Sequence, residues 1–395
     1  MYVALKKSDL SCFETSTSNI FDISRGLRFR VDSQLTKLQK TSNHVLHTSA
    51  FLPSGLTNYF NNLDVDVINL HWICNGFLSI EEIGKLTKPL VWTLHDMWAF
   101  SGAEHYTDDS ELARWRKGYK SDNRPVGHTG LDIDRWVWLR KQKAWTRKIH
   151  IVTPSQWLAD CVRQSSLMQD WPVSVIPNTL DVDVLRPWPK PLAREMLGLP
   201  LERSIILSCS FSGSRDQRKG WDLLEAALHK IDTDSSDLLG VVFGQSEPVN
   251  PPSVNLPIRW MGRLQDDIAL ALLYSAADVT VVPSRQDNLP QSATEAQSCG
   301  CPVVAFNTGG LSSAVEHQQT GYLATPFDTS ELAKGIIWSV ENMERSQRVS
   351  QNARARAVRL WSPKIITQKY SSVYLQAIEN AKKIRSSSEN LTITA

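Results

Sequence analysis

Two acidic side chains lie eight positions apart in residues 283–321, the segment whose residue types and spacing most resemble a binding or catalytic site. Asp287 precedes a sequence that reads as a helix, and Glu295 falls about a turn and a half into that helix. A proline would begin the helix, so the backbone N–H groups of Gln291 and Ser292 would point outward as an anion site. This spacing suits one acid beside a sugar and another on a ribose diol. In an ordinary αβα segment the same acids would be a helix cap and a solvated side chain.

A basic loop forms a second candidate site in residues 208–221. The pattern predicts the end of a strand, a loop of small residues, and a helix that opens at Lys219-Gly220. A lysine in that place can reach a diphosphate as a compact charge with three N–H donors. Arg215 and Arg218 lie beside it. Each of these cations could instead be a solvated loop charge.

Histidines mark a third candidate site, in the first half of the chain. A short apolar strand runs directly into His95, and a histidine at the carboxyl end of a strand can hydrogen-bond a sugar hydroxyl. The alternative is a core histidine bonded to Asp96. His71 and His105 are open between structural and binding roles. In the second half, Gly262 ends another strand and could lie against a nucleobase.

The order of these motifs resembles the GT4 family, retaining glycosyltransferases with the GT-B fold. The D-x7-E spacing followed by CGCPVVAFNTGG is similar to the E-x7-E donor block of that family. NLHW, WTLHDMWAFSGAEHY, PSQWLAD, VIPNTLD, RKGWDLL and VVFG follow the order expected of a colanic-acid-type polysaccharide branch. The resemblance covers residues 66–374.

The resemblance implies a role for each acid and for one histidine. Glu295 would hold the ribose hydroxyls. Asp287, one methylene shorter than the glutamate of the family, would lie beside the donor sugar and its phosphates. His95 occupies the position of a histidine near the donor hexose. We therefore assign the catalytic contacts to His95 and Asp287, and donor binding to Glu295, Gln291, Ser292 and Gly262.

The resemblance also makes Lys219 the phosphate-binding lysine. Relatives carry an arginine five residues earlier, where this chain has Ser214, so Arg215 is the preferred substitute and Arg218 the second choice. In the family the leaving diphosphate helps to take the proton of the acceptor, and the protein supplies positioning and charge stabilisation. No Asp-x-Asp sequence ends a strand in a metal-binding context. We expect no metal and no other cofactor, with a nucleotide-diphosphate sugar as donor substrate.

The expected fold class is α/β, because short apolar runs alternate with helical patterns. Such strands form parallel sheets that are covered on both faces. The resemblance implies two facing, Rossmann-like, doubly wound domains, with the site in a cleft at the carboxyl ends of the strands. The predicted strands span residues 65–70, 90–94, 149–153, 205–209, 239–243, 278–282 and 303–306.

A proline-rich segment at residues 176–191 suggests the boundary between the domains. An acceptor-side domain would span residues 1–178, and a domain that binds the nucleotide sugar would span residues 179–362. A helix at residues 363–384 would cross back to the first domain, as in GT-B proteins. Residues 385–395 would form a frayed tail.

Composition narrows the possible classes of protein. With 395 residues the chain is long enough for two domains, and its net charge of +2 argues against a dedicated nucleic-acid binder. Its six cysteines lack the spacing of a zinc site or a disulfide framework. The printed sequence contains no signal-peptide core and no apolar window of membrane-spanning length, which favours a cytoplasmic location.

Residues 134–148 combine tryptophan with lysine and arginine. Trp138 and Trp145 are seven positions apart and would share one face of a helix. Such a face suits anionic headgroups and lipid-linked acceptors, which predicts peripheral contact with the inner face of a membrane. The alternative is a half-buried helix with a solvated basic face.

The beginning of the chain differs from the family pattern. Members of this branch begin with a strand and a glycine-rich loop, whereas residues 1–8 here resemble a later strand. We therefore expect that first strand and loop to be missing, which would leave unpaired backbone groups in the first sheet.

The preferred interpretation is a retaining glycosyltransferase that moves a hexose from UDP- or GDP-hexose to a glycan or lipid-linked glycan in surface polysaccharide biosynthesis. The main alternative is a catalytically inactive sugar-nucleotide-binding or scaffold protein of the same fold. An epimerase of GT-B fold is a weaker alternative, because the RKGW and D-x7-E positions fit transfer better.

Overall fold

The computed structural model describes residues 2–3, 14–15, 19–209, 216–231, 237–252, 254–264 and 266–393, with side chains described between residues 23 and 383. The chain divides into two compact units. The first comprises Met1–Thr153, Ala159–Ser174 and Ser372–Ala395, and the second comprises Pro154–Leu158 and Val175–Ser371. The prediction that a first strand and a glycine-rich loop are missing concerns a region that lies largely outside the described residues, and it stays a prediction. Arg215 also lies outside the described residues.

The first unit is built around a four-stranded sheet in the order β4-β5-β7-β8. The pairs β4–β5 and β5–β7 are parallel, β1 pairs with β2 in parallel, and β3 pairs with β6 in antiparallel. The strands up to residue 175 are β1 (Tyr2–Val3), β2 (Glu14–Thr15), β3 (Gln39–Lys40), β4 (Ile68–Leu70), β5 (Leu90–Thr93), β6 (Thr129–Gly130), β7 (His150–Thr153) and β8 (Val173–Val175). The helices are α1 (Asn19–Thr36), α2 (Thr57–Asn62), α3 (Ile80–Gly84), α4 (Arg114–Lys117), α5 (Ile133–Ala144) and α6 (Gln156–Gln164).

The second unit contains a six-stranded parallel sheet in the order β11-β10-β9-β12-β13-β14. Its strands are β9 (Ser204–Cys209), β10 (Leu238–Phe243), β11 (Ile258–Trp260), β12 (Val279–Val282), β13 (Val303–Phe306) and β14 (Gly321–Ala324). Its helices are α7 (Lys190–Met196), α8 (Trp221–Leu228), α9 (Asp267–Ala276), α10 (Gln291–Ser298), α11 (Leu311–Ala314), α12 (Thr329–Val340) and α13 (Met343–Trp361). A last helix, α14 (Pro363–Ile393), begins in this unit, and its residues from Ser372 onward group with the first unit.

Alternation along β9 shows why the second sheet is covered on both faces. Ile205 and Leu207 pack in one hydrophobic cluster, and Ile206 packs in another. Successive side chains of a strand point to opposite faces, so a continuous apolar run requires helices on both sides. The prediction of parallel α/β architecture is confirmed, with strand ends shifted by small amounts. The last helix continues to Ile393, beyond the predicted end at residue 384.

The basic, tryptophan-rich segment packs inside the first unit. Trp138 and Trp145 are 7% and 6% exposed, and Lys141 of the same helix is fully buried. Arg140 forms an ion pair with Glu81 at 2.7 Å. The two indoles and Lys141 therefore pack within the protein and do not form a solvated face, while peripheral contact with a membrane stays a prediction. Within the described residues, no helix combines the length and apolar character needed to span a bilayer.

Candidate functional site

The strand order of the second unit defines where a ligand would bind. Relative to β9, the chain first adds strands on one side (β10, β11) and then on the other (β12, β13, β14). The loops that follow β9 and β12 therefore diverge at the carboxyl edge of the sheet, which is the usual ligand site of doubly wound folds. Lys219 follows β9, and Asp287 follows β12.

A glycine brings the two loops into contact. Gly220 has φ of +67°, and a Cβ built on it would lie 2.0 Å from the carbonyl oxygen of Pro283. Any other residue would collide with that backbone, so the close approach requires glycine. The N–H of Arg285 donates to the carbonyl oxygen of Arg218 at 2.8 Å, which joins the loops a second time.

Lys219 and Arg218 both contact Asp287. The Nζ atom of Lys219 lies 2.6 Å from Oδ2 of Asp287, and Nη1 of Arg218 lies 3.4 Å from the same oxygen. Asp287 is 7% exposed, whereas the side chain of Lys219 is 43% exposed. The ammonium group of Lys219 is therefore held against a buried carboxylate, while the side chain that carries it keeps an exposed surface. Arg218 also donates to Gln286 O at 3.0 Å, which fixes its guanidinium in the loop.

The Gly-Gly loop after β13 braces the segment that carries the first acid. Gly310 N–H donates to the carbonyl oxygen of Asp287 at 2.8 Å. A Cβ on Gly309 would lie 2.7 Å from that oxygen, and one on Gly310 would lie 1.3 Å from the carbonyl oxygen of Asn288. The Gly-Gly loop and the segment that carries Asp287 therefore pack directly against each other, because the two glycines leave room for the backbone of Asp287 and Asn288.

Helix α10 supplies the other predicted donor contacts. Pro290 is its N-cap rather than its first residue. Gln291 is exposed and Ser292 is partly exposed, and the first-turn N–H groups of a helix lack intrahelical acceptors. These donors and the helix dipole favour an anion.

Glu295 is held by a partner that the sequence did not reveal. Its Oε2 atom accepts a hydrogen bond from the hydroxyl of Tyr274 on α9 at 2.9 Å. Burial raises the pKa of Glu295, and the bond from Tyr274 opposes that shift. A carboxyl group that is held in this way can accept from a diol. Tyr274 lies in an apolar helix pattern and carries no local motif.

Gly262 follows β11 and has φ of +66°. Its carbonyl oxygen accepts from Gly244 N–H at 2.8 Å. Within the part of the chain that the structure describes, no atom lies within 4 Å of a Cβ built on Gly262, so this edge is open space. Its contact with a nucleobase stays a prediction.

In the first unit, His71 and His95 follow neighbouring parallel strands, β4 and β5. Nδ1 of His71 lies 3.0 Å from Nε2 of His95, and the rings stack with centroids 5.3 Å apart. The Asp96 carboxylate bonds His105 at 2.6 Å, and it accepts from Trp72 Nε1 at 3.1 Å. His105 is buried in that network, which gives it a structural role.

A separate polar cluster lies in the same unit. One ligand atom each from His47, Glu104 and Asp134 lie within 4.8 Å of one another. Tyr119 donates to Glu104, and Gln39 donates to Asp134. Burial, followed by the neighbouring Asp134, raises the pKa of Glu104 well above its ordinary value.

Comparison with known proteins finds similarity to glycosyltransferases. Residues 37–184 match the family model described as Glycosyltransferase Family 4, and residues 191–356 match Glycosyl transferases group 1. A D-inositol 3-phosphate glycosyltransferase of Acidothermus cellulolyticus is 31% identical over 293 residues, which are 69% of this chain and 58% of the relative. D-inositol 3-phosphate glycosyltransferase 2 of Catenulispora acidiphila is 31% identical over 229 residues, which are 54% and 52%. The chain thus spans about half the length of such curated relatives.

Two solved structures agree on the fold. Sucrose-phosphate synthase from Thermosynechococcus elongatus aligns with a TM-score of 0.63 at 21% identity, covering 82% of this chain and 77% of that one. Anabaena HepE in complex with UDP and glucose aligns with a TM-score of 0.57 at 18% identity, covering 81% and 80%. The chain has the GT-B fold with two Rossmann-like domains, and the matches support a place among GT4-like, group 1 glycosyltransferases. The colanic-acid branch stays a prediction.

Proposed function

We propose that this chain is a retaining hexosyltransferase of surface polysaccharide biosynthesis that acts in the cytoplasm. Its donor is UDP- or GDP-hexose, and its acceptor is a glycan or a lipid-linked glycan. The observation that carries the proposal is the ammonium group of the partly exposed Lys219 side chain, held 2.6 Å from Asp287 at the divergence of the loops after β9 and β12. A diphosphate is the ligand whose charge and size suit that place.

In this mechanism the second unit stabilises the leaving group. Lys219 and the first-turn N–H groups of α10 bind the diphosphate, and Glu295 accepts from the ribose hydroxyls. As the bond to the sugar breaks, negative charge grows on the diphosphate, so these fixed donors bind the transition state more strongly than the ground state. Once the phosphate oxygens contact Lys219, a carboxylate oxygen of Asp287 becomes available to a sugar hydroxyl.

The leaving diphosphate takes the proton of the acceptor hydroxyl on the same face of the sugar. The new glycosidic bond then has the anomeric configuration of the donor. His95 contacts a hydroxyl of the hexose in this scheme. No metal or other cofactor is required, because the cationic side chain and the helix terminus meet the charge of the diphosphate.

The names of the relatives suggest which compounds to test first. HepE was crystallised with UDP, with UDP and glucose, and with UDP-glucose. The curated relatives named above act on D-inositol 3-phosphate. UDP-glucose therefore comes first among donors, and an inositol phosphate belongs in the acceptor panel beside lipid-linked glycans.

A nucleotide-release assay on the purified chain tests the proposal. Donors that raise the melting temperature are incubated with and without each acceptor, and the anomeric configuration of any product is read by NMR. We expect release that depends on the acceptor and retains configuration. Binding without turnover would favour the inactive binding protein, and release without any acceptor would favour the epimerase. An inverted product would contradict the retaining mechanism.

A further inference from the structure

A row of hydrogen-bonded side chains in the first unit includes Asn69, His71 and His95. The amide nitrogen of Asn69 lies 2.9 Å from the hydroxyl oxygen of Tyr374 and 3.3 Å from Nε2 of His71. Nδ1 of His71 lies 3.0 Å from Nε2 of His95. The hydroxyl of Thr93 donates to Oδ1 of Asn69 at 3.2 Å, so the oxygen of the amide is engaged on that side.

With the amide nitrogen of Asn69 facing His71, the chemistry of these groups gives each bond in the row a direction. An amide nitrogen can only donate, so Nε2 of His71 accepts from Asn69. A neutral imidazole carries one proton, which places the proton of His71 on Nδ1, facing His95. Nε2 of His95 must accept that proton in turn. The proton of His95 itself is then on Nδ1.

Both rings stay neutral at physiological pH. Although His71 keeps an exposed surface, desolvation lowers its pKa to about 4, and the neighbouring His95 adds to the effect. Burial also lowers the pKa of His95, against a smaller opposing effect of Asp96. The direction of the bonds therefore holds at physiological pH.

We infer that Asn69 and His71 are positioning residues that hold His95 in its Nδ1–H tautomer. This inference rests on the proposed function for the role of His95. In that tautomer His95 meets the hexose as an N–H donor to a sugar oxygen. Its Nε2 atom is engaged by His71 and is not available as a general base for the acceptor. The row thus assigns His95 to sugar binding and leaves proton removal to the leaving diphosphate.

The tautomers can be measured without any activity. In protein labelled with ¹⁵N-histidine, long-range ¹H–¹⁵N spectra distinguish a protonated ring nitrogen from an unprotonated one. His71→Gln and His95→Gln assign the signals. At pH 7 we expect both rings as Nδ1–H. Finding His95 as Nε2–H, or as a mixture of tautomers, in the wild-type protein would overturn the inference even if the enzyme proved active.

Two variants of Asn69 sharpen the test. Asn69→Leu removes the donor, and His95 should become a mixture of tautomers. Asn69→Asp supplies an acceptor, so His71 should carry its proton on Nε2, and His95 should be forced to donate through its own Nε2. Spectra of His95 that match the wild type in both variants would mean that the row does not set the tautomer.

Kinetics separate positioning from folding. We expect Asn69→Leu to lower kcat about tenfold, with the thermal shift caused by UDP unchanged because Lys219 and Glu295 are untouched. The matched control is Asn61→Leu on α2, where Asn61 bonds the backbone of Lys85 and Thr87. An equal loss of kcat in both variants would contradict a positioning role for Asn69. If no variant and no wild-type sample turns over a donor, the proposed function fails, while the NMR result still decides the tautomer.

Discussion

The two candidate sites hold their functional side chains by different physical means. In the second unit, Lys219 is held by an opposite charge, and its loop is placed by a glycine that fits against backbone. In the first unit, His95 is held by neutral hydrogen bonds from side chains far away in sequence. The charged contact at Lys219 suits a diphosphate, and the neutral hydrogen bonds at His95 suit the hydroxyls of a sugar.

The difference between the two sites also predicts how each one responds to mutation. A charged contact near solvent depends on one ammonium group, so its removal should act on affinity for anions. A neutral row depends on the direction of each bond, so its disruption should act on turnover. The predictions below test this division, beginning with the largest expected effect.

Glu295→Ala should cost about 2–4 kcal/mol of donor binding or transition-state stabilisation, because a buried carboxyl group that holds the ribose would be lost. Titration calorimetry with nucleoside diphosphate and steady-state kinetics measure the two quantities. Tyr274→Phe is the companion variant and should show a smaller loss, since it removes only the bond that orients the carboxyl group. Unchanged donor affinity in a folded Glu295→Ala protein would contradict the ribose assignment.

Lys219→Ala should cost about 1.5–3 kcal/mol in affinity for nucleoside diphosphate, because a charge-assisted contact is lost. Affinity for the nucleoside alone should change little, since it carries no phosphate. Lys230→Ala is the matched control in the same unit, where the ammonium group bonds Thr329 and Ser330. Equal losses for nucleoside and nucleoside diphosphate would mean that Lys219 is structural.

The same contrast explains what the sequence could reveal. Asp287 and Lys219 could be singled out because each lies in a contiguous motif that follows a predicted strand, and Glu295 because it lies on the helix that follows Asp287. The parallel sheet brings the ends of those strands together. Tyr274 and Asn69 could not be found, because each is recognised only through its partner. Asn69 meets Tyr374, which lies 305 positions away in sequence.

Helix α5, which is rich in basic residues, shows a second reason why a sequence pattern can mispredict the surroundings of a side chain. Periodicity placed Trp138 and Trp145 on one face, but it could not tell whether that face met lipid or protein. The structure buries both indoles and also Lys141, whose ammonium group donates to the carbonyl oxygens of Trp98, Ser101 and Gly102. A lysine is buried in this way only where backbone acceptors converge, which a sequence pattern does not record.

Lys141→Met should lower the free energy of unfolding by about 1–3 kcal/mol, because buried carbonyl groups lose their donor. Burial lowers the pKa of Lys141 to about 7, while Glu104 opposes that shift. Between this value and its ordinary pKa the unfolded chain binds more protons, so this group makes stability rise with pH above about 7. As pH falls through about 7 the contribution is lost.

Urea unfolding at several pH values between 6 and 9 measures this effect. The wild-type protein should gain stability with rising pH relative to Lys141→Met. Lys143→Met, on an exposed position of the same helix, should follow the wild type. Parallel pH curves for the wild type and Lys141→Met would show that Lys141 does not change its charge on unfolding in this range.

Removal of metal ions should have the smallest effect, because transfer is expected to continue in excess EDTA. The diphosphate charge is met by Lys219 and by the amino terminus of α10, and neither requires a cation. The competing possibility is a cation at His47, Glu104 and Asp134, the group of ligand atoms that converges within the described residues. Tyr119 already donates to Glu104 and Gln39 already donates to Asp134, so both carboxyl groups have partners from the chain itself.

Turnover is measured after dialysis against EDTA and again after addition of Mg²⁺ or Mn²⁺. Activity that disappears and returns would contradict metal independence, and Glu104→Gln then locates the metal. If Glu104→Gln keeps its dependence on the added cation, the cation binds with the donor diphosphate, and Lys219 does not suffice for its charge. If the variant loses both activity and cation binding, the cluster of His47, Glu104 and Asp134 is a metal site, and the expected metal independence is wrong.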